Sequence, residues 1–149
     1  MLTFELRTRS RGLEMNYNSK VLFLCPYPIA HSPSQRFRFE QYFGILQAAG
    51  FQVKVSPFLS VAGWRMLYQP GNYFIKLITI VRGFLLRWAQ LFTLPAYHWV
   101  FIHREAAPLG PPVLEWIIAK VFRKKIIYDF DDAIWLPNIS EVNNVAGFL

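Results

Sequence analysis

The stretch KVLFLCPYPIAHSPSQRFRFEQYFGILQAAGFQVKV, residues 20–55, decides the fold. Residues 20–25 form a short aliphatic and aromatic run that begins abruptly and stops at Pro26, the pattern of a buried strand. After the loop PYPIAH, Ser32 stands as an N-cap. Pro33 takes the first helical position and Gln35 the return position of a capping box. The helix is expected to run to about Ala49, with Phe39, Tyr42, Phe43, Leu46 and Ala49 on one face. Gly50 closes it. Residues 51–55, FQVKV, alternate as a second strand and end at Ser56-Pro57.

The same alternation continues outward. Residues 71–92 read as a long helix on which Asn72, Lys76, Thr79, Gly83, Arg87 and Gln90 form one narrow polar stripe, with almost everything else apolar. Residues 97–102 are the next strand. EAAPLGPP is a loop, and residues 111–122 form a helix with Leu114, Ile117, Ile118 and Val121 inward. Residues 125–130 make the last strand. Buried-looking strands alternating with helices predict an α/β fold, a Rossmann-like parallel sheet with flanking helices. Residues 1–19 read as a flexible N-terminal extension and residues 20–149 as one domain that stops without a closing element.

Composition narrows the partners. The 149 residues are 54% hydrophobic and 17% aromatic with a net charge of +7, which suits a single packed domain and excludes disorder. The charge favours a membrane surface, phosphates or nucleotides. It is scattered, with no Lys/Arg block and no nucleic-acid module, so nucleic acid is not an expected partner. The single cysteine, Cys25, excludes a disulfide framework or a cysteine zinc site within this chain and reads as a small buried hydrophobe in a reducing compartment. The N-terminus has no apolar core of signal-peptide length, which points to the cytoplasm. Residues 73–102 are the most apolar region. Lys76, Arg82 and Arg87 interrupt them, and a span needs about 20 continuous apolar residues, so no membrane crossing is expected.

In an open parallel sheet, ligands bind beyond the carboxyl ends of the strands. That edge collects the unusual polar residues: His31 after the first strand, His103, Arg104 and Glu105 after the third, and Asp129, Asp131 and Asp132 at the fourth. His98, at the start of a strand, reads as structural. Arg36 and Arg38 lie near their helix start, where a bound anion would suit them; the competing reading pairs Arg36 with Glu40 at i,i+4. No G-x-G-x-x-G or Walker A sequence is present, which removes the dinucleotide-enzyme and P-loop readings. The DFDD cluster can serve as a metal site, a proton-handling site or the acidic mouth of a strand. It lacks a visible third metal ligand, so no metal is assigned.

Two segments carry a resemblance. Residues 20–58, with S-x-R-x-R at the helix start, and residues 99–135, with H-R-E after a strand and Y-D-x-D-D-A-I-W at the end, are together similar to the N-terminal domain of family 4 glycosyltransferases of the GT-B architecture. The closest likeness is to bacterial members whose last N-domain strand ends in an Asp-Asp pair, and it covers roughly residues 20–138. It implies the N-terminal half of a two-domain, metal-independent enzyme that moves a sugar from a nucleotide-sugar donor, usually with retention, to a glycan or lipid-linked acceptor. This half would hold the acceptor and would be inactive without a donor domain. Many relatives have a His where Asp131 stands and glycines where this chain has PYPIAHSPSQ. Asp131 and Asp132 become the catalytic candidates; His31, Arg36, Arg38, His103, Arg104, Glu105 and Asp129 become substrate-binding candidates. No cofactor is implied beyond the donor. Peripheral contact with the inner face of the cell membrane through Trp64, Arg65, Arg87 and Trp88 is a further expectation. A stand-alone module that binds a partner protein or an anionic membrane is the main alternative, and a metal-dependent hydrolase the third.

Overall fold

The computed structural model describes residues 19–130 except 68 and 109. Four strands, β1 (Lys20–Cys25), β2 (Gln52–Pro57), β3 (Trp99–His103) and β4 (Lys125–Asp129), form one parallel sheet in the order β2-β1-β3-β4. The α/β, Rossmann-like expectation holds. Because β1 feeds β2 on one side and β3 lies on the other, the chain reverses direction across the sheet between β1 and β3. Such a reversal opens a crevice at the carboxyl ends.

Alternation along β1 builds two cores. Val21, Phe23 and Cys25 point to one face and join Phe39; Leu22 and Leu24 point to the other and join Leu91, Leu94, Leu114 and Ile118. Both faces of the central strand are buried, which is why KVLFLC reads as a continuous apolar run rather than an alternating one. Cys25 is fully buried in the first core, as its sequence context suggested.

The first helix is not continuous. It consists of α1 (Pro33–Arg38), a 3-10 turn and α2 (Phe43–Ala48), broken at Phe39, whose φ is −143°. The break drops the Phe39 ring onto Phe23 at 5.5 Å and His103 at 5.3 Å. Burial of one phenylalanine, worth about 2 kcal/mol, outweighs a few residues of helix continuity. Tyr42 and Ala49, expected inward, are exposed. The capping box does not form. Ser32 makes no side-chain cap, and Gln35 is buried instead, with Oε1 accepting from Tyr27 N at 2.9 Å and Nε2 donating to Tyr27 O at 3.0 Å. Gln35 therefore pins the loop after β1 to α1.

A short helix absent from the sequence reading, α3 (Val61–Leu67), precedes the long α4 (Tyr73–Thr93). Val113–Trp116 form α5, which continues as a π turn over Ile117–Val121; Val121, expected inward, is exposed because the wider turn rotates it outward. The extension expected over residues 1–19 lies outside the described residues except for Ser19, which is buried and whose carbonyl accepts from Gln52 N at 3.0 Å.

The middle of the polar stripe of α4, from Thr79 to Gln90, faces the rest of the protein. Gly83 and Arg87 are buried, and Arg87, 2% exposed, is not a surface residue as its place in the sequence suggested. Its Nη2 donates to Cys25 O at 2.9 Å, its Nη1 to Ser56 O at 2.8 Å and Oγ at 3.0 Å, and its Nε to Ala106 O. One guanidinium thus ties α4 to the carboxyl ends of β1 and β2 and to the loop after β3. Burial pulls its pKa down to about 10, so it stays charged at neutral pH. Gly83 lets α4 approach Phe58: a Cβ there would lie 2.5 Å from the ring.

Replacing Arg87 with Met should destabilise the protein by about 3 kcal/mol, since it removes charged donors from buried carbonyls. Arg87→Lys should fall between the two, because a single ammonium cannot reach all three carbonyls. Urea unfolding of the three proteins checks the order.

Candidate functional site

Three of the candidates, Arg38, His103 and Asp129, meet at the carboxyl ends of β3 and β4. Strands β3 and β4 are in register from Trp99 opposite Lys125 to His103 opposite Asp129, so the last residues of both strands lie side by side. Their side chains point to the α1 face, and α1 supplies Ser34 and Arg38 from above. His103 Nδ1 lies 2.8 Å from Asp129 Oδ2, and His103 Nε2 lies 3.3 Å from Ser34 Oγ. Arg38 forks over the same carboxylate. Its Nε donates to Asp129 Oδ2 at 3.2 Å, its Nη2 to Oδ1, and Nη2 also reaches Phe130 O at 2.7 Å.

Electrostatics order the cluster. Burial pushes the Asp129 carboxyl up, but the hydrogen bonds and charges of Arg38 and His103 oppose it and hold the group below its ordinary value. Asp129 therefore stays ionised at neutral pH, and Nδ1 of His103 carries a proton toward it. In the neutral ring Nε2 is then the acceptor for the Ser34 hydroxyl. His103 is only 1% exposed, so its ring meets Ser34, Asp129 and Phe39 rather than solvent.

A hydroxyl–imidazole–carboxylate line of this kind can activate a nucleophile. Arg38 argues for a different use. It occupies both oxygens of Asp129, one of which also meets His103, so the cluster forms a fixed hydrogen-bonded clamp. Two non-glycine residues in left-handed conformation flank it, Ala30 (φ 65°) and Arg104 (φ 65°). Each conformation costs about 1–2 kcal/mol, a cost the surrounding contacts must offset. Arg104 N donates to Asp129 O at 2.9 Å, which locks the end of β3 to the end of β4.

The remaining candidates lie apart from this cluster. His31 bonds the Ile29 carbonyl at 2.8 Å and meets the Trp64 ring edge-on at 5.1 Å. Arg36 is exposed with its guanidinium 5.5 Å from the Phe37 ring. The alternative Arg36–Glu40 pairing gives way to another one: Glu40 accepts from Ala30 N at 3.0 Å and Gln35 Nε2 at 3.2 Å. Glu105 belongs to a second acidic group on the α5 side. Burial raises its pKa, with Arg104 lowering it and Glu115 raising it again. Burial and the nearby Glu115 and Glu105 carboxylates push Tyr128 up to about 12. His98 is structural, accepting from Lys20 N at 3.1 Å. Asp131 and Asp132 lie outside the described residues.

Ser34 and Gln35 were missed as members or supports of the site. Their signal was faint: both sit in the SPSQ segment that follows the first strand loop, where Gln35 read as a capping-box partner and Ser34 carried no pattern of its own. A second missed feature is an open trough of about 800 Å³ on the α1 side of the sheet, floored by Phe23, Trp99, Phe101 and Ile127 with Arg38 and Arg123 among its rim residues. Among the described residues no group of three or more His, Cys, Asp or Glu side chains is placed to hold a metal ion. No protein-family model, curated protein or solved structure matches the chain.

The depressed pKa of Asp129 has a sign that can be checked. Its ionised form is favoured in the folded state, so the clamp stabilises above the ordinary carboxylate value near 4 and is lost as pH falls below it. Melting temperature followed from pH 7 downward should drop more steeply in the native protein than in Asp129→Asn.

Proposed function

We propose that this chain is the acceptor-side domain of a retaining glycosyltransferase of the GT-B architecture, acting with a separate donor domain that holds the nucleotide-sugar. The observation that supports it best is the Arg38–Asp129–His103–Ser34 cluster at the carboxyl edge of a parallel sheet, where α1 closes over the ends of β3 and β4. Sugars are recognised by fixed, alternating donors and acceptors, and this cluster presents a guanidinium, a carboxylate edge and a hydroxyl on rigid elements. The sequence resemblance of residues 20–58 and 99–135 supports the same reading, with Asp131 and Asp132 following directly as the proton-handling candidates.

In this reading His103 and Asp129 are positioning residues. Asp129 fixes the His103 ring, His103 orients Ser34, and Ser34 meets an acceptor hydroxyl. Arg36, exposed on α1, can contact a phosphate of a lipid-linked acceptor. No cofactor is required beyond the nucleotide-sugar of the complete enzyme.

The test is binding by the isolated chain. Titration calorimetry should show heat with a saccharide acceptor panel and none with uridine- or guanosine-diphosphate sugars. Ser34→Ala should weaken the saccharide signal by about 1 kcal/mol, one neutral hydrogen bond. Binding of nucleotide-sugars without saccharides, or of neither, would overturn the proposal.

A further inference from the structure

A surface helix normally turns its apolar stripe toward the protein and its polar face outward. Helix α4 does the reverse. Thr79, Gly83, Arg87 and Gln90 lie with Leu91 on the side turned to the rest of the protein, while Phe74, Leu77, Ile78, Leu85, Trp88 and Phe92 are exposed, Phe92 at 87%. At about 100° per residue the outward apolar face covers roughly half the helix circumference. The inward side is not accidental, because Arg87 fills the carbonyls at the ends of β1 and β2 and Gly83 admits Phe58.

Charge says what fits this face. From position 41 to position 104 the chain contains no Asp or Glu and six Lys or Arg: Lys54, Arg65, Lys76, Arg82, Arg87 and Arg104. Arg65 on α3 and Arg82 on α4 are exposed beside the apolar face. A second copy of this chain would bring like charges together with no carboxylate from this stretch to pair them. An anionic lipid leaflet supplies both acyl chains for the apolar face and phosphates for the cations.

The geometry also separates lying on a membrane from crossing it. By length and composition alone, Tyr73–Ala96 is long and apolar enough to cross. Crossing would require Arg87 to abandon its three carbonyl partners and enter hydrocarbon, and Arg82 with it. We propose that α4 lies in the plane of an anionic bilayer, with the Phe74–Phe92 face among the acyl chains and the Arg87 side carrying the sheet. Arg87 joins α4 to the carboxyl ends of β1 and β2, so the edge that holds His103 and Asp129 is brought close to the lipid headgroups. This placement holds whether or not that edge serves sugar transfer.

Co-sedimentation of the purified chain with vesicles tests it. The chain should bind phosphatidylcholine vesicles containing phosphatidylglycerol at low salt, and bind pure phosphatidylcholine much less. The double variant Leu85→Glu/Phe92→Glu, altered only at exposed positions, should keep its circular dichroism and lose at least about tenfold in vesicle affinity. Trp emission should shift to the blue on binding, and Trp88→Phe should remove most of that shift while leaving binding in place. Absence of sedimentation with anionic vesicles at low salt would overturn the proposal. So would unchanged binding by the double variant, or self-association through this face that leaves vesicles unbound.

Discussion

One buried guanidinium organises this structure. Arg87 sits in the middle of a long apolar helix and donates to the ends of β1 and β2 and to the loop after β3. A buried charge with no carboxylate partner among the described residues is costly unless its donors are filled, and here carbonyl oxygens with a serine hydroxyl fill them. Everything about α4 follows. The helix must present its polar stripe inward beside Leu91, most of its other apolar residues face out, and Gly83 must be small so that the helix can come close enough for Arg87 to reach.

The same edge of the sheet carries the candidate site. Parallel strands in register deliver their last residues to one line, so His103 and Asp129 become neighbours although 26 positions separate them. α1 then closes over them, because Phe39 breaks the helix to reach the core and turns Arg38 toward Asp129. Fold and site depend on the same few packing choices around Phe23, Phe39 and His103.

Much of the fold was legible. The strand at residues 20–25 is exact because a fully buried parallel strand has an unbroken apolar signal bounded by Pro26. The carboxyl-edge candidates were legible too, since strand ends mark where ligands bind in this architecture, and Arg38, His103 and Asp129 do converge. The break at Phe39 and the role of Gln35 were not legible. Helix periodicity and capping rules are local, whereas the burial of both residues is set by strands far away in the chain. Glu105 was grouped with His103 by adjacency. The structure sends it to the α5 side with Glu115 and Tyr128, because the left-handed turn at Arg104 redirects the chain.

The sequence by itself determined the succession of the four strands, the two-faced burial of the central strand and the excess of positive charge, because these depend on composition and local period. Only the tertiary structure decided which side of α4 faces inward. An amphipathic pattern specifies that two faces differ, not which one meets the protein. Here the three carbonyl groups waiting at the sheet edge selected the face that carries Arg87, and left the apolar one outside.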